Sequence, residues 1–376
     1  MKHILPTLSA ALLLTACETS TSQMAKVIPT GQTGVTAMSS AALDSSAPLT
    51  RITFGSCLKE RDDQSIWNTI AAEDSDLFLF IGDNVYGDAY RSDPVALDPN
   101  MPKMRESYNT LAAVQEFANF RAKTPLLTTW DDHDYGANDA GAYYPFRELS
   151  EAMFLDAWDV PASDERRTRD GVHTSRIIGP AGQRVQIIML DTRSFRTDLQ
   201  ATDERNAPGK ERYVPLEGGF GTMLGEDQWD WLAGELAKPA DLRLLVSSIQ
   251  VIADGHGWEA WRTMPAERDR LYQLIDDSGA EGVVLLSGDR HAGSIYRRDD
   301  VTDYPLYEVT ASSLNAPQSA WRERSGDFTV EAGPYRLHTM QFGVNYGRID
   351  VDWDARKAEL RVVAPDGADF VNQISF

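Results

Sequence analysis

The sequence predicts an α/β fold, and three observations carry that reading. From Arg51 onward, short apolar runs rich in β-branched residues alternate with segments whose apolar residues recur at helical spacing. Chemistry-bearing side chains follow the ends of the runs, where open α/β sheets bind ligands. The tail from Phe342 to Phe376 changes to short alternating runs, as antiparallel strands completing one side of a sheet would. The 376 residues are 42% hydrophobic and 25% charged, a globular composition. No internal repeat or composition shift divides them. The 36 Lys and Arg stand against 57 Asp and Glu, for a net charge of -21. Such a surface repels a nucleic-acid backbone, so no nucleic-acid-binding module is expected. Two cysteines exclude a disulfide framework.

The elements follow in order. Residues 1–16 read as a lipoprotein signal peptide, with Lys2 as the positive region and an apolar stretch ending at Leu12-Leu13-Leu14. Leu14-Thr15-Ala16-Cys17 matches a bacterial lipobox, in which Cys17 is acylated after cleavage; the alternative is an ordinary secretory peptide cut after Ala16. The protein is then exported and lipid-anchored on the periplasmic or cell-surface side of a bacterial membrane. Glu18, which is not Asp, points to the outer membrane. Residues 17–48, rich in Ser, Thr, Ala and Gly, read as a flexible tether, and 49–376 as the folded domain. With Cys17 acylated, Cys57 has no disulfide partner; it is a metal ligand or a buried inert thiol.

Strands are expected at Ile52-Thr53-Phe54, Asp76 to Ile81, Leu126 to Trp130, Arg184 to Leu190, Leu242 to Ile249 and Val283 to Leu286. Helices are expected at Gln64 to Glu73, Met104 to Phe120, Glu148 to Trp158, Glu226 to Ala237 and Pro265 to Asp276, the last with proline in its first turn. Asp198 to Gly225 is glycine-rich and reads as a long surface loop.

Four strand ends lead into Gly55-Ser56-Cys57, Gly82-Asp83-Asn84-Val85-Tyr86-Gly87-Asp88, Asp131-Asp132-His133-Asp134 and Gly288-Asp289-Arg290-His291. Singly, Asp83 reads as a turn residue and Tyr86 as a core aromatic. Three carboxylates around one imidazole are harder to explain without a cation. Thiolate, phenolate, imidazole and a shared carboxylate suit a trivalent or borderline transition metal. Carboxylate oxygens alone suit Ca2+, Mg2+ or Mn2+, with Zn2+ also possible.

These motifs, with Leu190-Asp191-Thr192-Arg193-Ser194-Phe195-Arg196 and Gly257-Trp258-Glu259-Ala260-Trp261, resemble the PhoD-like (alkaline phosphatase D) metallophosphoesterases, relatives of the purple acid phosphatases. The resemblance implies a calcineurin-like sandwich of two β-sheets flanked by helices and hydrolysis of a phosphate-ester substrate. It implies Fe3+ on Cys57, Asp83, Tyr86 and His291, with Asp83 bridging to a second divalent metal, most often Ca2+, near Asp132 and Asp289. Gln250 falls near another metal position. His133 becomes the general acid or a phosphoryl holder, and Asp134 its orienting partner. Arg193 binds a phosphate oxygen or forms a structural ion pair with a carboxylate such as Asp191. His256 and Trp258 read as a plain surface loop or as a loop over the pocket. His173 and His338 carry no motif. The competing class is a surface lipoprotein that binds a phosphorylated ligand without turnover.

Overall fold

The computed structural model describes Met1, residues 26–88, 98–365, Gly367 and residues 369–376. Cys17 and its lipobox lie outside the described residues, as does Asp366 of the expected final turn. The chain runs β1 (Arg51–Gly55), α1 (Ile66–Ala71), β2 (Leu77–Ile81), α2 (Pro102–Ala112), α3 (Gln115–Arg121), β3 (Leu126–Thr129), α4 (Asp132–Tyr135) and α5 (Arg147–Ala157). It continues through β4 (Thr174–Ile178), β5 (Val185–Met189), α6 (Glu226–Leu236), β6 (Leu242–Val246), α7 (Pro265–Asp277), β7 (Val283–Ser287), β8 (Gly293–Arg298) and β9 (Leu306–Ala311). It ends with α8 (Gln318–Ser325), β10 (Tyr346–Asp352), β11 (Lys357–Val363) and β12 (Phe370–Ser375).

The strands form two six-stranded mixed sheets, ordered β12-β11-β10-β1-β2-β3 and β4-β5-β6-β7-β9-β8. Strand periodicity explains how they stack. In β2, Leu77, Leu79 and Ile81 point between the sheets, where they meet Ile187, Met189, Leu244, Val246, Val284 and Leu286. Phe78 and Phe80 point outward instead, onto Trp67, Phe117 and Phe120 of α1 and α3. On the second sheet, Ile188, Leu245 and Leu285 face Trp229 and Leu232 of α6 and Leu271 and Ile275 of α7. The result is a helix–sheet–sheet–helix sandwich, as expected. The tail pairs antiparallel to β1 through β10, with Phe54 opposite Gly347.

Three expectations need correction. The single helix over 104–120 is two, because Ala113 ends α2 and Val114 turns to extended backbone (ψ 118°) before α3. Strands β4, β8 and β9 were not anticipated. The segment expected as a tether is, over residues 26–48, docked on the domain. Ile28 and Met38 are buried, Met38 N–H bonds the Ala157 carbonyl at 2.7 Å, and Thr33 Oγ1 donates to Asp156 at 2.8 Å. Lys26 bridges Glu151 and Asp170 at 2.5 and 2.7 Å. Its polar composition reads as flexible, but a few spaced apolar anchors seat it. Among the described residues no helix is long and apolar enough to cross a membrane.

Candidate metal centre and its pocket

The loops at the carboxyl ends of β1, β3 and β7 line one cavity of about 570 Å3. Its wall includes Asp132, His133, Asp289 and His291. Each strand ends in a turn that aims a donor inward. Cys57 (φ 58°), Asp83 (φ 50°), Asp289 (φ 66°) and His291 (φ 53°) all adopt left-handed backbone, a conformation uncommon for residues other than glycine. Gly82, at φ +115°, precedes Asp83; a Cβ there would stand 2.8 Å from that of Asp131, so only glycine admits the close approach of β2 and β3.

Two donor groups meet at Asp83. One ligand atom each from Cys57, Asp83 and His291 lie within 4.8 Å of one another, as do those of Asp83, Asp131, Asp132 and Asp289. Tyr86 joins the first group: its hydroxyl donates to Asp83 Oδ2 at 3.2 Å and stands 3.2 Å from His291 Nε2. The Cys57 thiol donates to the same Asp83 oxygen at 3.3 Å. His291 Nδ1 bonds the Ala316 carbonyl, so Nδ1 carries the proton and Nε2 faces Tyr86 with its lone pair. Ser312, after β9, ties the group together: it accepts from His291 N–H at 2.9 Å and contacts Cys57 Sγ at 3.3 Å.

The electrostatics fit a cation. Burial, then the Asp83 charge, pushes the Cys57 thiol well up, and Tyr86 likewise. Burial and neighbouring carboxylates raise Asp83 and Asp289 well above the usual range. Burial lowers His291 to about 4, which keeps it neutral. Asp83 Oδ1, Asp131 Oδ2 and Asp132 Oδ1 are buried with no hydrogen-bond partner. Buried carboxylate oxygens without donors are costly unless a cation satisfies them. The residues therefore fit one site of S, O and N donors beside a second of carboxylates, sharing Asp83.

His133 lines the cavity, its ring stacked on Tyr86 at 4.2 Å between centroids. Its Nδ1 lies 2.9 Å from Asp88 Oδ1. Burial opposes the imidazolium, but Asp132, Asp83 and Asp88 outweigh it and raise the pKa well above the ordinary value.

Several expected roles change here. Asp134 does not orient His133. It caps α4, accepting from Asp131 N–H at 2.6 Å and from Asn84 N–H at 3.2 Å, with burial raising it to about 8. The partner of His133 is Asp88, quoted in the second motif but given no role from sequence. Arg193 does not reach the cavity. Fully buried, its guanidinium bonds Asp131 at 2.6 Å and Glu259 at 2.9 Å, while Asp191 accepts only its backbone N–H. Gln250 is buried and bonds Tyr296, Thr310 and His256 at 3.2, 3.0 and 3.0 Å; none of its hydrogen bonds reaches the carboxylate group. His256 is buried against Gln250, whereas Trp258 lines the cavity. His173 packs on Trp231, and His338 stacks on Phe370.

A family model described as a PhoD-like phosphatase matches residues 53–362. Alkaline phosphatase D of Bacillus subtilis (strain 168) is 25% identical over 278 residues, covering 65% of this chain and 46% of that protein. The chain thus spans less than half the length of that curated relative. A solved structure of PhoD superposes with a TM-score of 0.65 at 18% identity, covering 89% of this chain and 73% of the other. At that identity the likeness is one of fold.

Proposed function

The chain belongs to the PhoD-like phosphatase family, and from that premise we propose that it hydrolyses phosphoric esters at a two-cation centre. The observation that carries the reading is the shared carboxylate. Asp83 belongs at once to a thiol–phenol–imidazole group and to an all-carboxylate group. Cys57, Asp83, Tyr86 and His291 would hold ferric iron. Asp83, Asp132 and Asp289 would hold a harder divalent cation, calcium by donor chemistry.

When bound, the cations would polarise phosphoryl oxygens and make solvent nucleophilic toward phosphorus. The chain's own groups do the rest. His133, held through Nδ1 by Asp88, keeps Nε2 for the cavity and delivers a proton to the leaving oxygen. In the cation-free protein the surrounding carboxylates, Asp132, Asp83 and Asp88, favour its charged form. Tyr86, stacked beneath it, fixes the ring plane. Arg193 locks Asp131 to Glu259, which fixes the backbone carrying Asp132 and His133.

The test combines elemental analysis with turnover of p-nitrophenyl phosphate and bis-p-nitrophenyl phosphate, with and without chelator. Activity that tracks cation content is expected. No turnover of either ester by the metal-loaded protein would leave binding without turnover as the better account. Cys17 in its lipobox supports an acyl anchor on a bacterial membrane, the outer one by Glu18. Cys17→Ser is expected to move the protein to the soluble fraction; persistence at the membrane would overturn the anchor.

A further inference from the structure

The cavity is larger than a phosphoryl group requires. At about 570 Å3 it lies in the range that encloses a drug-sized ligand. Its wall carries five cationic side chains, Lys59, Arg205, Arg212, Arg290 and Arg324. Two are neutralised: Arg212 pairs with Asp139 at 3.0 Å and Arg290 with Glu331 at 2.6 Å, and both guanidiniums pack over Trp258. Lys59, Arg205 and Arg324 differ. All three are exposed, and none forms an ion pair among the described residues.

These three come from separate segments: the loop after β1, the long loop of residues 198–225, and α8. On α8, Trp321 and Arg324 are three residues apart and share the face that lines the cavity. Arg322 between them is buried over Phe342 at 3.9 Å and bonds the Thr329 carbonyl, so the helix is seated from its other side. Of the other acidic residues of the lining, Asp132 and Asp289 belong to the carboxylate group, Asp139 pairs with Arg212 and Glu259 with Arg193 and Arg196, which leaves Asp62. In a chain with 57 acidic and 36 basic residues, three cations without an ion pair among the described residues gather at one cavity mouth. Such a mouth attracts and retains an anion.

We infer that Lys59, Arg205 and Arg324 form a subsite for a second oxyanion, and that the substrate is a phosphoric ester bearing a further phosphate group beside the one cleaved. The inference rests on the proposed esterase reading. Because the cations are exposed, the subsite acts by screened attraction and is salt-sensitive.

The test uses the metal-loaded full chain and two synthetic diesters, p-nitrophenyl 3-hydroxypropyl phosphate and the same compound with a phosphate on the terminal hydroxyl. At low salt the phosphorylated ester is expected to have a kcat/KM roughly tenfold higher, mainly through KM. The ratio should fall toward one near ~1 M salt, and in a triple variant carrying Lys59→Gln, Arg205→Gln and Arg324→Gln. Equal kcat/KM for the two esters in the unaltered protein, or a preference that survives the triple substitution, overturns the subsite. If neither ester is turned over, the proposed activity fails instead, and calorimetric binding of the two esters then decides. Tighter binding of the phosphorylated ester, lost in the triple variant, supports the subsite; equal affinity overturns it.

Discussion

Arg193→Ala separates a structural arginine from a substrate clamp. The guanidinium and Asp131 are fully buried, and Glu259 is 2% exposed. Removing one partner of a buried ion pair costs about 3–5 kcal/mol, since the other charge is left without compensation. The two carboxylates are not equally stranded. Glu259 keeps a cation, Arg196 at 2.8 Å, whereas Asp131 keeps only neutral donors, the Ser248 hydroxyl at 2.8 Å and the Asp134 backbone N–H of the capping box. The loss should therefore lie near the lower end, about 3 kcal/mol, or roughly two powers of ten in the folded ratio. The pH dependence has a definite sign. Burial, resisted by Arg193, already places Asp131 at about 7; without Arg193 it moves higher. A carboxyl whose folded pKa is raised contributes stability below its unfolded value and loses it as pH rises through the folded value. Between about 7 and the higher value the variant holds a proton that the parent protein has released. The deficit is thus smaller near about pH 6 and opens near about pH 9. Urea denaturation of both chains in chelator reads this without linkage to bound cations. Equal stability at both pH values, with a raised KM for phosphate esters, would refute the structural reading and return Arg193 to the substrate.

The remaining predictions concern the centre itself. Asp83→Ala is expected to lose both cations by elemental analysis; retention of either at full stoichiometry contradicts a shared donor. His133→Ala should keep both cations and lose about 10²- to 10⁴-fold in kcat. Asp88→Asn should act through His133, with a larger rate loss on alkyl esters than on p-nitrophenyl esters, because only the poorer leaving group needs the proton. An equal loss on both substrates would remove Asp88 from that task. Tyr86→Phe should abolish a visible tyrosinate-to-iron band, and a colourless, active, iron-free parent protein would remove Tyr86 from the site.

The layout was legible where local pattern and final position agree. Leu77 to Ile81 and Val283 to Ser287 are apolar strands that end in their motifs, and they do so in the fold. Legibility failed where a residue's partner is remote. Asp134 adjoins His133 in sequence, but one helical turn directs its oxygens to backbone N–H groups, while Asp88 arrives from another strand end. Arg193 sits in a motif beside Asp191, yet its partners are 62 and 66 residues away. The hairpin of β8 and β9 was missed because Ser294, Arg297, Arg298, Glu308 and Thr310 break its apolar pattern. Their polar atoms find partners only once the sheet exists, as when Glu308 accepts from Val251 and Ile252.

The backbone adds an argument that composition does not. Left-handed conformation is comparatively tolerant of Asp and His, so Asp83, Asp289 and His291 are modest departures. Cys57 is not in that class. At φ 58° a glycine or asparagine would be less strained, by about 1–2 kcal/mol. The side chain recovers little by packing: it is a small group held by Asp83, Ser312 and Ser56 through weak sulfur contacts. Polar walls of this kind do not favour an apolar thiol, and burial beside Asp83 disfavours the thiolate. An inert core cysteine would sit on relaxed backbone among apolar neighbours. What Cys57 supplies that glycine or asparagine would not is sulfur, aimed at the oxygen that Tyr86 also meets. A cation there would stabilise the thiolate and satisfy the carboxylate together, which accounts for the residue type, its conformation and its neighbours at once.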